Sequence, residues 1–118
     1  MSYIDGFLAP TLPGTTPEAY RAFAARAAVV FRDHGAIRVV EAWEDDVPDG
    51  KQTDFRKAVL AREAEKVVFS WIEWPDKATR DAGMAKVMDD PRMRQNDTPV
   101  PFDGPRMIYG GFRILMDE

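Results

Sequence analysis

Four charged residues and four aromatic ones lie on stretches that read as β-strands: Asp5, Glu41, Glu73 and Arg113, with Tyr3, Trp43, Trp71 and Tyr109. Alternate residues of a strand point to opposite faces, and counting along each stretch places these eight on one sheet face. A half-apolar surface with a few inward polar groups is the usual make-up of a small-molecule site. A carboxylate buried there is raised in pKa and can serve as acid or base. The same Glu41, Glu73 and Arg113 suit ion pairs across an interface or at its rim. Asp5 and Glu73 fall on adjacent strands, and two neighbouring acids need a proton, a cation or an arginine between them.

His34 is the single histidine. One role for it is general base, or ligand to a metal or haem. The other is a cap at the end of a helix, where a cation complements the helix dipole. Asp5, Glu41, Glu73 and His34 show no metal-ligand spacing, so no metal site is expected. Asp45, Asp46 and Asp49 lack the twelve-residue calcium pattern and read as a solvated turn. Gly110-Gly111 lacks the lysine and helix start of a phosphate loop and reads as a bulge or a close backbone approach. Ser70 is mid-strand, outside any nucleophile elbow. With no cysteine, disulfides, thiolate metal sites and a cysteine nucleophile are excluded.

The elements that must carry these residues are legible in outline. Residues 2–9 read as a strand ended by Pro10. Thr16 caps a helix with Pro17 at its first position, running to about His34, with Gly35 as its stop. Tyr20, Phe23, Ala24, Ala27, Val30 and Phe31 form its apolar stripe. Residues 36–44 read as a second strand, followed by a Pro48-Asp49-Gly50 turn. The stretch 51–65 carries little pattern beyond a helical turn near Asp54–Ala58. Residues 66–74 are the strongest strand signal. Pro75 stops it, and Asp76 caps a helix ending near Asp89, with Ala78, Ala82, Ala85, Val87 and Met88 on its buried side. Asp90-Pro91 starts a short turn or helix, 96–105 is a proline-rich connector, and 106–116 form the last strand. Met84, Met88, Met93 and Met107 read as gap-fillers of the core.

The order β-α-β-β-α-β is that of the ferredoxin-like α+β fold, an antiparallel four-stranded sheet with both helices on one face. It predicts the strand order β4-β1-β3-β2. A chain of 118 residues fits a single domain over 1–118. Two helices cover one face only, yet both faces carry large apolar side chains. An open face bearing Phe7, Val39, Trp43, Phe69 and Trp71 exceeds what a monomer usually exposes. A homodimer packed sheet to sheet about a two-fold axis is the economical solution.

The net charge of −4 argues against nucleic acid and against anionic lipid as partners. No apolar run approaches the ~20 residues that span a bilayer. Met1–Pro10 lacks the basic start and apolar stretch of a signal peptide, so a cytoplasmic location is expected.

Tyr3-Ile4-Asp5-Gly6-Phe7, Asp33-His34-Gly35-Ala36, Asp46-Val47-Pro48, Val67–Ile72 and Pro101–Phe112 together resemble the YbaA-like family of bacterial proteins of unknown function. The resemblance covers nearly the whole chain and departs from the family pattern at 54–65. It implies a dimeric α+β barrel, a superfamily that includes cofactor-free monooxygenases, haem-degrading enzymes, isomerases and ligand-binding regulators. The implied function is a small-molecule-binding dimer without a cofactor, as an oxidoreductase or isomerase. His34, Asp5 and Glu73 would then move protons, and Tyr3, Glu41, Trp43, Trp71, Tyr109 and Arg113 would line the site. The alternative is a non-catalytic ligand-binding or partner-binding dimeric module.

Overall fold

The computed structural model describes residues 2–94 and 100–118. Strand β1 (Tyr3–Pro10) leads into helix α1 (Pro17–Asp33), strand β2 (Arg38–Trp43), one helical turn α2 (Phe55–Ala58), strand β3 (Val67–Trp74), helix α3 (Lys77–Asp89), two 3-10 turns (Pro91–Met93 and Gly104–Arg106) and strand β4 (Ile108–Arg113). The four strands form one antiparallel sheet in the order β2-β3-β1-β4, as expected.

The helix starts follow from local chemistry. The Thr16 side chain accepts the Ala19 N–H, with Pro17 next to it, and Asp76 accepts the Thr79 N–H; each satisfies a donor that the first turn leaves unpaired. α1 ends at His34, and Gly35 follows with φ of 111°, a left-handed conformation suited to glycine. Tyr20, Ala24 and Val30 are the buried positions of its stripe. The last strand is shorter than expected. Pro105 fixes its own φ inside a 3-10 turn, and past Arg113 the partner strand β1 has run out, since Arg113 already faces Tyr3.

The register corrects two expectations. Asp5 pairs with Ile72, and Ile4 with Glu73. Tyr3, Asp5 and Phe7 therefore share a face with Ser70, Ile72 and Trp74, with Val39, Glu41 and Trp43, and with Tyr109 and Arg113. This is the face under α1 and α3. Trp71 and Glu73 point the other way, so they do not join Asp5, and Asp5 and Glu73 are not neighbours on one face. The open face carries Ile4, Leu8, Val40, Phe69, Trp71, Ile108 and Phe112 instead of the set expected above; only Phe69 and Trp71 are common to both.

Helix α3 is the other correction. Gly83 and Val87 are its buried residues, while Ala78, Ala82, Ala85 and Met88 face outward. The reason is Trp74. Its ring lies where a Cβ on Gly83 would stand, 2.6 Å from that position, and the His34 carbonyl lies 2.3 Å from it. The helix packs by a bare backbone against an indole, not by an alanine ridge. Of the methionines, Met84 packs against the Tyr3–Ile72–Trp74 core, whereas Met88 and Met93 are exposed. The 96–99 part of the proline-rich connector lies outside the described residues.

Candidate functional site

Under the helices, the polar groups sort into one that is spent and one that is open. Asp5 is buried, and its carboxylate accepts from Trp74 Nε1 at 2.9 Å and from Arg80 Nη2 at 2.7 Å and Nε at 3.1 Å. Arg80 also lies over the Tyr3 ring, 5.2 Å from its centroid. Gly111 makes room for this stack: a Cβ there would stand 2.2 Å from the Tyr3 hydroxyl. This is the close approach foreseen for the glycine pair. Arg80 has no signature in the sequence, because helix position and strand register must both be known before it meets Asp5.

Glu41 lies opposite Ser70 on the same face, in a cleft between α1 and β2 of about 400 Å³. Tyr20, Arg21, Ala24, Ala25 and Ala28 form the helix wall, and Val39, Trp43 and Val68 the sheet wall. The cleft exists because α1 presents alanines here. Glu41 is open to water on one side and crowded by apolar side chains on the other. That crowding pushes its carboxyl up to about 7, with the Ser70 hydroxyl working against the rise. Burial also pushes the Tyr20 phenol up, and Glu41 adds to it. Tyr20 and Trp43 meet edge to face, with centroids 6.0 Å apart.

His34 caps α1, and its Nε2 lies 2.8 Å from Asp90 Oδ2. Asp90 in turn caps the first 3-10 turn and pairs with Arg92, which reaches Asp33. Hydrogen bonds from Arg92 first, and from His34 next, hold the Asp90 carboxyl far below the usual carboxylate range. His34 thus ties the ends of α1 and α3 together, away from Glu41.

The open face is a second concavity, of about 660 Å³. Gly6 and Gly110 stand side by side on β1 and β4, and the missing side chains leave a hollow. Ile4, Leu8, Phe69, Trp71, Ile108 and Phe112 rim it. Glu73 lies at one end of this face, 3.5 Å from Arg38 and 3.3 Å from Trp71 Nε1. The nine residues expected to act together are therefore split. Glu41 and Trp43 share the cleft; Asp5 and Tyr3 share the Arg80 cluster; Trp71 and Glu73 share the open face. Arg113 and Tyr109 lie on the β4 edge under the helix side, with Tyr109 stacked on Phe7. Among the described residues no cluster of three or more His, Asp or Glu side chains is arranged to hold a metal.

A family model described as a protein of unknown function, DUF1428, matches residues 2–104. The uncharacterized protein YbaA of Escherichia coli (strain K12) is 56% identical over 118 residues, covering 100% of both chains, and the Shigella flexneri YbaA matches equally. Among solved structures, a dimeric ferredoxin-like protein from an uncultured marine organism superposes with a TM-score of 0.63 at 12% identity, covering 99% of this chain and 98% of that one. SnoaB, a cofactor-independent oxygenase from Streptomyces nogalater, gives 0.55 at 15% identity, with 97% and 95% covered. At such identities the structural likeness shows the fold alone, which is ferredoxin-like α+β. The 2–104 match and the end-to-end identity with YbaA establish that the chain belongs to the DUF1428 family, in agreement with the YbaA-like motifs of its sequence.

Proposed function

We propose that the protein works as a homodimer that brings two open sheet faces together around a small, largely apolar molecule. The observation that carries this reading is the open face itself. Along the strands its only charges are Arg38 and Glu73, at one end, and the rest is aliphatic, aromatic or glycine. Phe69 is 45% exposed, Ile108 46% and Phe112 62% in the single chain. Four strands about 4.8 Å apart and about 20 Å long present a flat area of roughly 400 Å². Leu115 and Met116, both exposed beyond β4, extend the apolar surface toward the ~800 Å² per partner of a stable interface. The relative described as dimeric supports the assembly.

SnoaB's description as a cofactor-independent oxygenase supports a molecule bound and turned over without a resident cofactor. The three groups expected to move protons weaken that extension, since His34, Asp5 and Glu73 are each held by an ionic partner. Binding is therefore the reading put forward, and it carries with it the cytoplasmic setting and the single domain expected from the sequence. The test is native mass spectrometry of freshly purified protein at micromolar concentration, set against its denatured mass. A dimer retaining extra non-covalent mass supports the proposal and defines the ligand. A bare dimer keeps the interface and removes the enclosed molecule. A bare monomer overturns it.

A further inference from the structure

The cleft between α1 and β2 lies on the opposite side of the sheet from the face assigned to the dimer, so what it does is a separate question. Its volume of about 400 Å³ falls in the range of small-ligand sites. Its walls are unlike each other. Ala24, Ala25 and Ala28 make a flat, featureless surface on α1, and the edge-to-face pair Tyr20 and Trp43 closes one end. Polar groups are few. Glu41 rises from β2, with Ser70 across from it on β3, and Tyr20 and Arg21 approach from α1. Among the described residues no Lys, Arg or His lies within ion-pair distance of Glu41, which sets it apart from Asp5, Glu65 and Glu73. Glu41 stays exposed in the single chain, so its carboxyl is available to a ligand that enters beside the aromatic corner.

We propose that this cleft binds a planar ring compound bearing an N–H or O–H, the ring lying between the alanine surface of α1 and the Tyr20–Trp43 corner, with its donor directed at the Glu41 carboxyl. The flat gap selects a ring over a branched chain. The carboxyl selects a donor over an apolar substituent of the same size, since a donor adds a charge-assisted hydrogen bond to the one from Ser70. Tyr20 stays a neutral donor, while burial against the cleft walls brings Glu41 to change its charge near neutrality. A carboxylate accepts more strongly than a carboxylic acid, so binding strengthens as Glu41 ionises.

The three tryptophans make this testable without knowing the natural ligand. Trp43 lines the cleft, Trp71 lies on the open face, and Trp74 donates to buried Asp5. Their indole N–H resonances in a nitrogen-15-labelled sample report three places at once. Phenol and toluene are the probes, being the same size with and without a donor. Phenol is expected to move the Trp43 signal and leave Trp74 unmoved, at an affinity several times that of toluene. Between pH 6 and 8 the phenol affinity is expected to rise up to about tenfold, as a group titrating near 7 ionises. Glu41→Gln should flatten that rise. In the unmodified protein, the carbon-13 carboxyl signal of Glu41 should titrate near 7 and shift downward in midpoint with phenol present, which keeps the test valid should the variant not fold. A phenol response confined to Trp71, equal affinities for the two probes, or a pH rise that survives Glu41→Gln each overturns the proposal. None of these outcomes touches the dimer.

Discussion

Arg106 to Met is a demanding test of how the sheet edge is held. Glu65 is 1% exposed, and its two oxygens receive Arg106 Nη1 at 2.8 Å and Nη2 at 2.7 Å. Arg106 also donates to Asp103 and to the Leu60 carbonyl. This knot fastens the loop before β3 to the turn that starts β4, and so fixes one rim of the open-face hollow. Methionine keeps the length of the side chain and removes the guanidinium, leaving Glu65, among the described residues, with only the Arg62 amide as donor. Stranding a buried charge in this way costs about 3–5 kcal/mol. The proton affinity agrees in direction. Hydrogen bonds from Arg106, against the opposing effect of burial, hold the Glu65 carboxyl at about 2 in place of 4.5, with the Arg62 amide adding to the drop. At roughly 4 °C per kcal/mol for a chain of this size, Tm should fall by roughly 12 °C at pH 7. The pH dependence has a definite sign. A carboxyl depressed by folding contributes fully above 4.5 and loses its contribution as pH falls from 4.5 toward 2. The gap between the parent and Arg106→Met should therefore be widest at pH 7 and narrow steadily below pH 4.5. Urea denaturation followed by tryptophan fluorescence at pH 7, 5 and 3 measures it. A loss below about 1 kcal/mol at pH 7, or a gap that does not change with pH, refutes the reasoning. Adding Glu65→Leu to the variant should recover much of the loss, because an apolar pair needs no counter-charge.

Phe112→Ala should weaken the proposed dimer. Burying what is still exposed of that ring is worth about 1–2 kcal/mol, a two-fold axis counts it twice, and Kd should rise ~30-fold to ~1000-fold in sedimentation velocity. An unchanged Kd would place the interface elsewhere. Gly83→Ala should destabilise by about 1–3 kcal/mol in chemical denaturation, since the new methyl meets the His34 carbonyl and the Trp74 ring and a backbone carbonyl has no room to give. Stability equal to the parent's would mean that α3 can lift from the sheet at no cost. Asp5→Ala should cost about 3 kcal/mol, because the Trp74 N–H and the Arg80 guanidinium both lose their acceptor; a smaller loss by the same assay would show that water replaces it.

The helix starts and the strands were readable because their causes are local, a threonine, a proline or an aspartate at the right offset and runs of apolar residues, and the strand order followed from the sequence of elements. The side assignment of β3 was not readable. Val67–Trp74 is apolar on both faces, so its alternation does not say which half joins Asp5. Thr11 continues the β1–β3 register, donating its N–H to the Lys66 carbonyl and accepting the Lys66 N–H on its hydroxyl, 55 residues apart. A slip of one residue exchanges the two faces, and with them Trp71 and Glu73. The stretch 51–65 was opaque for a similar reason. Arg56 bridges the Glu44 side chain and the Glu65 and Arg62 carbonyls, and Leu60 sits at a φ of 53° beside them. That loop is shaped by arginines reaching across it, and no period in its own residues encodes that. Glu41 was named in advance, yet its partner wall on α1 was not, because Ala25 and Ala28 look like ordinary helix filler until the sheet lies under them.

The position of β1 has a consequence for how the chain comes together. It is synthesised before both of its neighbours and occupies the middle of the sheet, between β3 and β4. Tyr3 must find Trp74 on one side and Arg113 on the other. Neither of β1's long edges can be satisfied by a neighbour in the chain, and the second stays bare until β4 has left the ribosome. Contacts of such long sequence separation slow folding and leave apolar strands uncovered in the meantime. During that interval the glycine-floored surface and the β1 edge are exposed together on the same nascent molecule, and newly made copies at high local concentration have two ways to pair, of which only face to face leads to the proposed assembly.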